Sequence, residues 1–130
     1  MTETDRLGRV PLHYAAADGD AEAVARHLKE WAVDRTDALG FTALNLAVGA
    51  FGDPATVEAL LAAGADCEHV DGDGHTPLLD AVLNNHVRAA ELLVRAGADP
   101  QRRTPWGGGT SPLQAATRFG RQEILDALGA

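Results

Sequence analysis

The chain has 130 residues, with 19 acidic side chains against 11 basic ones and a formal net charge of −8. A surface of that sign repels a nucleic-acid backbone, so DNA and RNA are excluded as expected partners and a basic protein is favoured. No run approaches the roughly 20 apolar residues of a membrane span, and Met1–Asp5 has neither the basic start nor the apolar run of a leader, so no membrane is expected.

The first element is a turn at Asp5-Arg6-Leu7-Gly8, because Asp can bond its own backbone two residues on and glycine accepts a positive φ. A helix follows from Val10-Pro11-Leu12-His13 and closes at Gly19; a second runs over Asp20–Trp31, with Val24 and Leu28 at helical spacing. The order then returns. Asp37-Ala38-Leu39-Gly40 is a turn, Thr42-Ala43-Leu44-Asn45 starts a helix that closes at Gly52, and Asp53-Pro54 starts the next, over Asp53–Ala63. A third copy reads Asp71-Gly72-Asp73-Gly74, then Thr76-Pro77-Leu78-Leu79, with Asn85 in place of the closing glycine and a second helix at about His86–Ala96. The fourth opens less typically at Trp106-Gly107-Gly108-Gly109, continues with Ser111-Pro112-Leu113-Gln114, closes at Gly120 and ends in a helix over Arg121–Leu128. Thr76 and Ser111 are N-caps followed by proline at the first helical position, where a missing N–H costs nothing. Ala15-Ala16, Ala47-Val48, Ala81-Val82 and Ala115-Ala116 are small enough to let helices of successive copies approach closely.

Pro11, Ala43, Pro77 and Pro112 stand 32, 34 and 35 residues apart. This core at a period in the low thirties resembles the ankyrin repeat, a β-turn followed by two antiparallel helices, over about Asp5–Leu128. Gly64-Ala65-Asp66 and Gly97-Ala98-Asp99 match the family's way of ending its second helix. The resemblance implies an all-α solenoid of four helix-turn-helix units joined by β-turn fingers, residues 1–130 being one domain with units at about 5–36, 37–70, 71–105 and 106–130. At this length such a domain buries roughly 65–70% of its unfolded surface. Val10 replaces the usual Thr, Trp31-Ala32-Val33-Asp34 replaces Gly-Ala-Asp, one extra residue lies near Phe51, and two are inserted within 102–109. Only His13 keeps the histidine of the motif, so the loop hydrogen bonds that it makes are not expected in the other units.

Cys67-Glu68-His69-Val70-Asp71-Gly72-Asp73-Gly74-His75 is the densest set of metal-ligand types in the chain. Its Asp-x-Asp-Gly piece resembles the opening of an EF-hand loop, but the twelfth residue counted from Asp71 is Val82 rather than a bidentate Glu. One Cys and two His also fall short of a zinc finger's ligand set, so a solvated turn accounts for the segment and no metal or cofactor is expected. Gly107-Gly108-Gly109-Thr110-Ser111 lacks the lysine of a Walker loop and reads as a lengthened turn. Catalysis needs a nucleophile, a base and an orienting group together. His13 is explained by the motif, His27 by packing on a second helix, His86 by its place at a helix start, and Cys67 lies in a turn with nothing to lower its pKa, so no enzyme is expected. A single cysteine cannot form an internal disulfide, which fits a reducing compartment and makes the cytoplasm the expected location. Lys29 is the one lysine among the 11 basic residues, and with abundant Ala, Gly and Asp this usage points to a GC-rich bacterial genome.

The resemblance implies protein binding through the turn tips and the concave face of the first helices. Matching positions are Arg6, Leu7, Arg9, Ala17 and Asp18 in the first unit, and Ala38, Leu39, Phe41, Gly49 and Ala50 in the second. The third supplies Gly72, Asp73, His75, Leu83 and Asn84; the fourth supplies Gly107, Gly108, Thr110, Arg118 and Phe119, with Trp106 at its turn. Leu39, Phe41, Leu83, Trp106 and Phe119 are expected to be largely exposed, the composition of an interaction hot spot. Two further readings remain open: an acidic inhibitor that neutralises a basic toxin or enzyme, as an immunity protein does, and metal or ligand sensing through the Cys67–His75 turn. Ile124 and Leu125 near the chain end are expected to be incompletely covered, which leaves a monomer or a weak homodimer through that end.

Overall fold

The computed structural model describes residues 5–129; Met1–Thr4, read above for a leader, and Ala130, the last residue of the fourth unit, lie outside them. Among the described residues there are eight α-helices, one short 3-10 turn and no strand. The helices are α1 (Pro11–Ala17), α2 (Ala21–His27), α3 (Ala43–Gly49), α4 (Pro54–Ala62), α5 (Pro77–Leu83), α6 (Val87–Arg95), α7 (Pro112–Phe119) and α8 (Gln122–Ala127). They pack in sequential pairs, and the pairs stack so that α1, α3, α5 and α7 form one row and α2, α4, α6 and α8 another. The core lies between the rows. Leu12, Leu44, Leu60, Leu78, Leu93 and Ile124 are fully buried there, and Ala16, Ala47, Ala81 and Ala116 keep the first helices close.

Helix starts follow the expected chemistry. Thr76 Oγ1 accepts from the Leu79 N–H at 3.2 Å, Ser111 Oγ from Gln114 at 3.1 Å, and Asp53 Oδ2 from Thr56 at 3.0 Å. Val10 has no side-chain acceptor and is buried instead, while His13 Nδ1 accepts the Val10 N–H at 3.0 Å. That bond leaves the proton on Nε2, which donates to the Arg35 carbonyl at 2.8 Å. Contrary to expectation, Asn45 makes the same pair of bonds: its Oδ1 accepts from the Thr42 N–H (2.9 Å) and its Nδ2 donates to the His69 carbonyl (3.0 Å). A carboxamide presents an acceptor and a donor much as a neutral imidazole does, so Asn serves where His is absent.

α2 stops at His27 rather than Trp31, because the chain tightens into turns with Lys29 and Glu30 bonded back to the Arg26 and His27 carbonyls and no glycine supplies a left-handed cap. Ile124 and Leu128 are buried and Leu125 is half-buried, so the apolar end expected to invite self-association is largely covered by α6 and α7.

Each of the first three fingers turns on one carboxylate. Asp37 Oδ1 accepts from the N–H groups of Leu39 (2.9 Å) and Phe41 (3.0 Å), and Asp5 and Asp71 do the same two and four residues on. Successive fingers rest on one another: the Ala38 N–H donates to the Leu7 carbonyl at 2.7 Å, and a Cβ on Gly72 would meet the Leu39 oxygen at 2.0 Å. The fourth lacks the aspartate. Its 3-10 turn, Trp106–Gly108, is held by Thr110 Oγ1 donating to the Gly107 carbonyl (2.8 Å), and Thr104 ties it to the third finger through the Gly74 carbonyl (2.5 Å).

Asn85 closes α5 with φ of 57°, in the left-handed region that glycine occupies after α1, α3 and α7. Asn85→Ala is expected to lower the unfolding free energy by about 1 kcal/mol, with Asn85→Gly near neutral. Gly52→Ala is expected to cost more, because its methyl would lie 2.4 Å from the His86 ring, whose Nε2 is engaged with the Ala50 carbonyl. Urea unfolding of the three variants checks this order.

Candidate functional site

Between the fingers and the first helices lies an open groove of about 360 Å³. α3 forms one wall through Asn45, Leu46 and Gly49, with Ala50 beyond its end; α5 forms the other through Asp80 and Leu83, with Asn84 beyond. Arg9, Phe41, Asp71, Asp73 and His75 close it from the finger side, and Ala17 from the end of α1. Nine of the residues expected to contact a partner, Arg9, Ala17, Phe41, Gly49, Ala50, Asp73, His75, Leu83 and Asn84, are therefore brought together. Arg6, Leu7, Asp18, Leu39, Trp106, Arg118 and Phe119 lie outside its lining.

Exposure differs from expectation at three aromatic or apolar positions. Leu39 (53%) and Phe119 (48%) are exposed, but Phe41, Leu83 and Trp106 are half-buried. Trp106 packs edge-to-face against His75 at 5.0 Å between ring centroids and so covers the third finger. Phe119 lies beneath the Arg121 guanidinium at 4.8 Å, and Arg121 also donates to the Val82 and Leu83 carbonyls at the end of α5. The most exposed large apolar side chain, Phe51 (70%), was not among the expected contacts.

Two buried carboxylates with opposite electrostatics flank the groove. Burial opposes charge on Asp37, but the Phe41 N–H, the Arg9 side chain and the Leu39 N–H outweigh it and hold the carboxyl below its ordinary value. Arg9 Nε lies 3.2 Å from Asp37 Oδ2, with its guanidinium 5.6 Å from the Tyr14 ring centre. Asp80, at the groove floor, has no such partner. Burial and the neighbouring Asp71 charge push it up to about 7, against the lowering effect of His75, whose Nδ1 shares a proton with Asp80 Oδ1 at 2.8 Å. His75 Nε2 is buried without a hydrogen-bond partner. Asp80 was missed in the sequence; the available signal was one charge within the otherwise apolar run Pro77-Leu78-Leu79-Asp80-Ala81-Val82-Leu83.

Within the Cys67–His75 turn, Cys67, Glu68 and His69 are engaged with separate partners. Cys67 Sγ faces the Ala96 carbonyl at 3.8 Å, and burial together with Glu68 and Asp66 raises its pKa, which disfavours the reactive thiolate. Glu68 accepts from the Asp99 N–H at 3.1 Å, and His69 Nε2 donates to the Gly40 carbonyl at 3.0 Å. Among the described residues the one group with metal-compatible spacing is Asp71, His75 and Asp80, whose ligand atoms lie within 4.8 Å of one another. No helix among the described residues is long and apolar enough to cross a membrane.

A family model for ankyrin repeats, in three copies, matches residues 1–71 and 46–129. The chain belongs to the ankyrin-repeat family. The two matched stretches overlap over residues 46–71, and α1 to α8 pack as sequential helix pairs. Similar proteins include ankyrin repeat and SOCS box protein 16 of Mus musculus, 39% identical over 125 residues that make up 90% of this chain and 26% of that protein. Tyrosine-protein kinase HTK16 of Hydra vulgaris is 32% identical over 122 residues, 90% of this chain and 16% of the kinase. ARF GTPase-activating protein Git of Drosophila melanogaster is 43% identical over 82 residues, 62% of this chain and 11% of that protein. This chain thus spans about a quarter or less of the length of these relatives, so their named activities belong to much larger proteins. All three are eukaryotic, and the bacterial origin read from composition draws no support from them. Ankyrin repeats generally mediate protein–protein interaction and are typically non-enzymatic.

Asp80 holds its proton more tightly in the folded chain than in the unfolded one, whose carboxyl titrates near 3.8. Stability from this group is therefore fully present below about pH 4, is lost as pH rises towards 7, and is level above that. Asp80→Asn is expected to raise the unfolding free energy by about 1–3 kcal/mol at pH 8, with the difference shrinking towards pH 4, as followed by thermal melts across that range.

Proposed function

We propose that the concave face and the finger tips bind a basic protein partner, with no catalysis by this chain. The groove carries the reading: Phe41 and Leu83 offer apolar surface while Asp71, Asp73 and Asp80 place carboxylates beside it. Aromatic and aliphatic side chains with a polar surround are the usual make-up of an interface centre. The net charge of −8 adds a long-range attraction for a partner of opposite sign. Leu7, Leu39 and Phe119, with Arg6, Asp18 and Arg118, extend the same contact surface beyond the groove. The fingers and helices are already ordered, so binding costs little conformational entropy. A single half-buried cysteine fits work in the cytoplasm.

An inhibitory role, in which the acidic face covers the active site of a basic enzyme or toxin, follows from the carboxylates at the groove floor. Among the described ion pairs, Asp71 and Asp73 have no cation and Asp80 has only His75. Inhibition is read directly as loss of the partner's activity in the complex; a scaffold leaves that activity unchanged.

With the partner recovered from the native cell, Phe41→Ala together with Phe119→Ala is expected to weaken binding by about 1–2 kcal/mol or more while leaving helicity and melting nearly unchanged. Raising salt from about 0.05 M to 0.5 M is expected to slow association markedly and to change dissociation less, because long-range attraction is screened over roughly 8 Å at physiological ionic strength. An acidic partner, or association indifferent to salt, overturns the basic-partner reading.

A further inference from the structure

The groove floor holds more negative charge than the chain itself neutralises. Asp80 Oδ1 is engaged by His75, but Oδ2 faces α3, where a Cβ added to Gly49 would come within 4.0 Å of it. Gly49 carries only hydrogen, so no side chain from that position covers the oxygen, and Asp80 lines the groove. Asp71 directs Oδ1 to the N–H groups of its own turn, and its carboxylate lies within 4.8 Å of the Asp80 and His75 ligand atoms. Arg9 reaches the same groove but is already paired with Asp37 at 3.2 Å. A buried carboxylate beside a like charge is stabilised by any cation that reaches both.

Shape and wall chemistry narrow the cation. At about 360 Å³ the groove is near the lower end of small-ligand pockets, roughly 300–1,000 Å³, and holds one long side chain rather than a helix. Phe41 and Leu83 offer apolar walls for a methylene stem. A planar guanidinium bridges two neighbouring carboxylates and stacks on an aromatic face, whereas an ammonium acts as a strongly hydrated point charge. We propose that this groove seats an arginine side chain presented by the protein partner, its guanidinium against Asp80 and Asp71 and its stem against Phe41 and Leu83. The inference rests on the protein-binding reading of this face and names what the face selects.

Seating the guanidinium releases the Asp80 proton to solvent, so binding tightens as pH rises. Of the charged groups beside Asp80, Asp71 raises its pKa and His75 lowers it. Asp73 also lines the groove, and Arg9 and Asp37 from the first two fingers form a closed pair. α3 contributes no charge to the groove, and α6 and α7, which also pack on α5, contribute none of its lining.

The test uses N-acetyl-arginine amide as the probe, with ¹⁵N-labelled protein followed by NMR, so it needs no partner in hand. Saturable shifts are expected at the amides of Gly49, Asp73 and Asp80. Binding is expected to be at least about tenfold weaker for the neutral isostere N-acetyl-citrulline amide and for Asp80→Asn, and up to about tenfold tighter at pH 8 than at pH 6. Gly49→Leu, which fills the groove and keeps every carboxylate, is expected to abolish the shifts. Citrulline amide binding as well as arginine amide, shifts confined to another surface, or no saturable shift up to about 20 mM overturns the proposal. So does Zn²⁺, added alone, saturating these amides where arginine amide leaves them unmoved, since that marks a metal site. The partner separates this failure from that of the broader reading. A partner lost on Phe41→Ala but indifferent to Asp80→Asn and Gly49→Leu leaves protein binding standing and removes the arginine seat.

Discussion

The side chain three residues after each first-helix N-cap has two possible duties: to accept the N-cap amide and to reach a carbonyl in the loop that leads to the next unit. His13 and Asn45 perform both, spanning to Arg35 and His69. Gln114 performs the first alone, accepting the Ser111 N–H at 3.0 Å. Leu79 can perform neither and is buried in the core instead. Buried backbone groups must be satisfied somewhere, so the third unit is braced by other means. The Pro100 carbonyl receives the Leu113 N–H at 2.9 Å, the Glu68 carbonyl receives Arg102 at 2.8 Å, and Thr104 bonds to the Gly74 carbonyl.

That difference places the chemistry of the groove. Where the polar tie is missing, His75 turns instead towards Asp80, and Trp106 from the lengthened fourth finger packs against the imidazole. The resulting carboxylate–imidazole pair lines the groove between α3 and α5. Asp37 and Asp80 are both buried, yet their acidities move in opposite directions. Asp37 meets a guanidinium and two N–H donors; Asp80 meets a second carboxylate. A carboxylate of the first kind stabilises its own finger. One of the second kind destabilises the free protein when ionised, and an incoming cation relieves it.

In a solenoid each unit touches only its neighbours, so local sequence carries most of the architecture. The D-x-x-G turns, the Thr-Pro and Ser-Pro helix starts, the Gly19, Gly52 and Gly120 closures and Asn85 in the left-handed region were all legible, because each is settled by bonds within a few residues. Helix order and the small-residue seams followed from the same periodicity. The end of α2 was misjudged because apolar spacing continued to Trp31 after the backbone had already tightened into turns.

The groove was legible only in part. Position along the repeat brought Arg9, Phe41, Asp73, His75, Leu83 and Asn84 into the expected set, since these occupy finger tips and inner helix faces in any chain of this period. By itself the amino-acid order determined the fold, the turn chemistry and the row of residues that line one face. Only tertiary structure decided that Asn45 imitates His13, that Trp106 covers His75, and that Asp71 and Asp80 share one low-dielectric site without a cation. Those outcomes depend on distances between groups that lie in different units or across a turn, and on how much water their packing excludes. Neither is encoded in the spacing of residues along the chain.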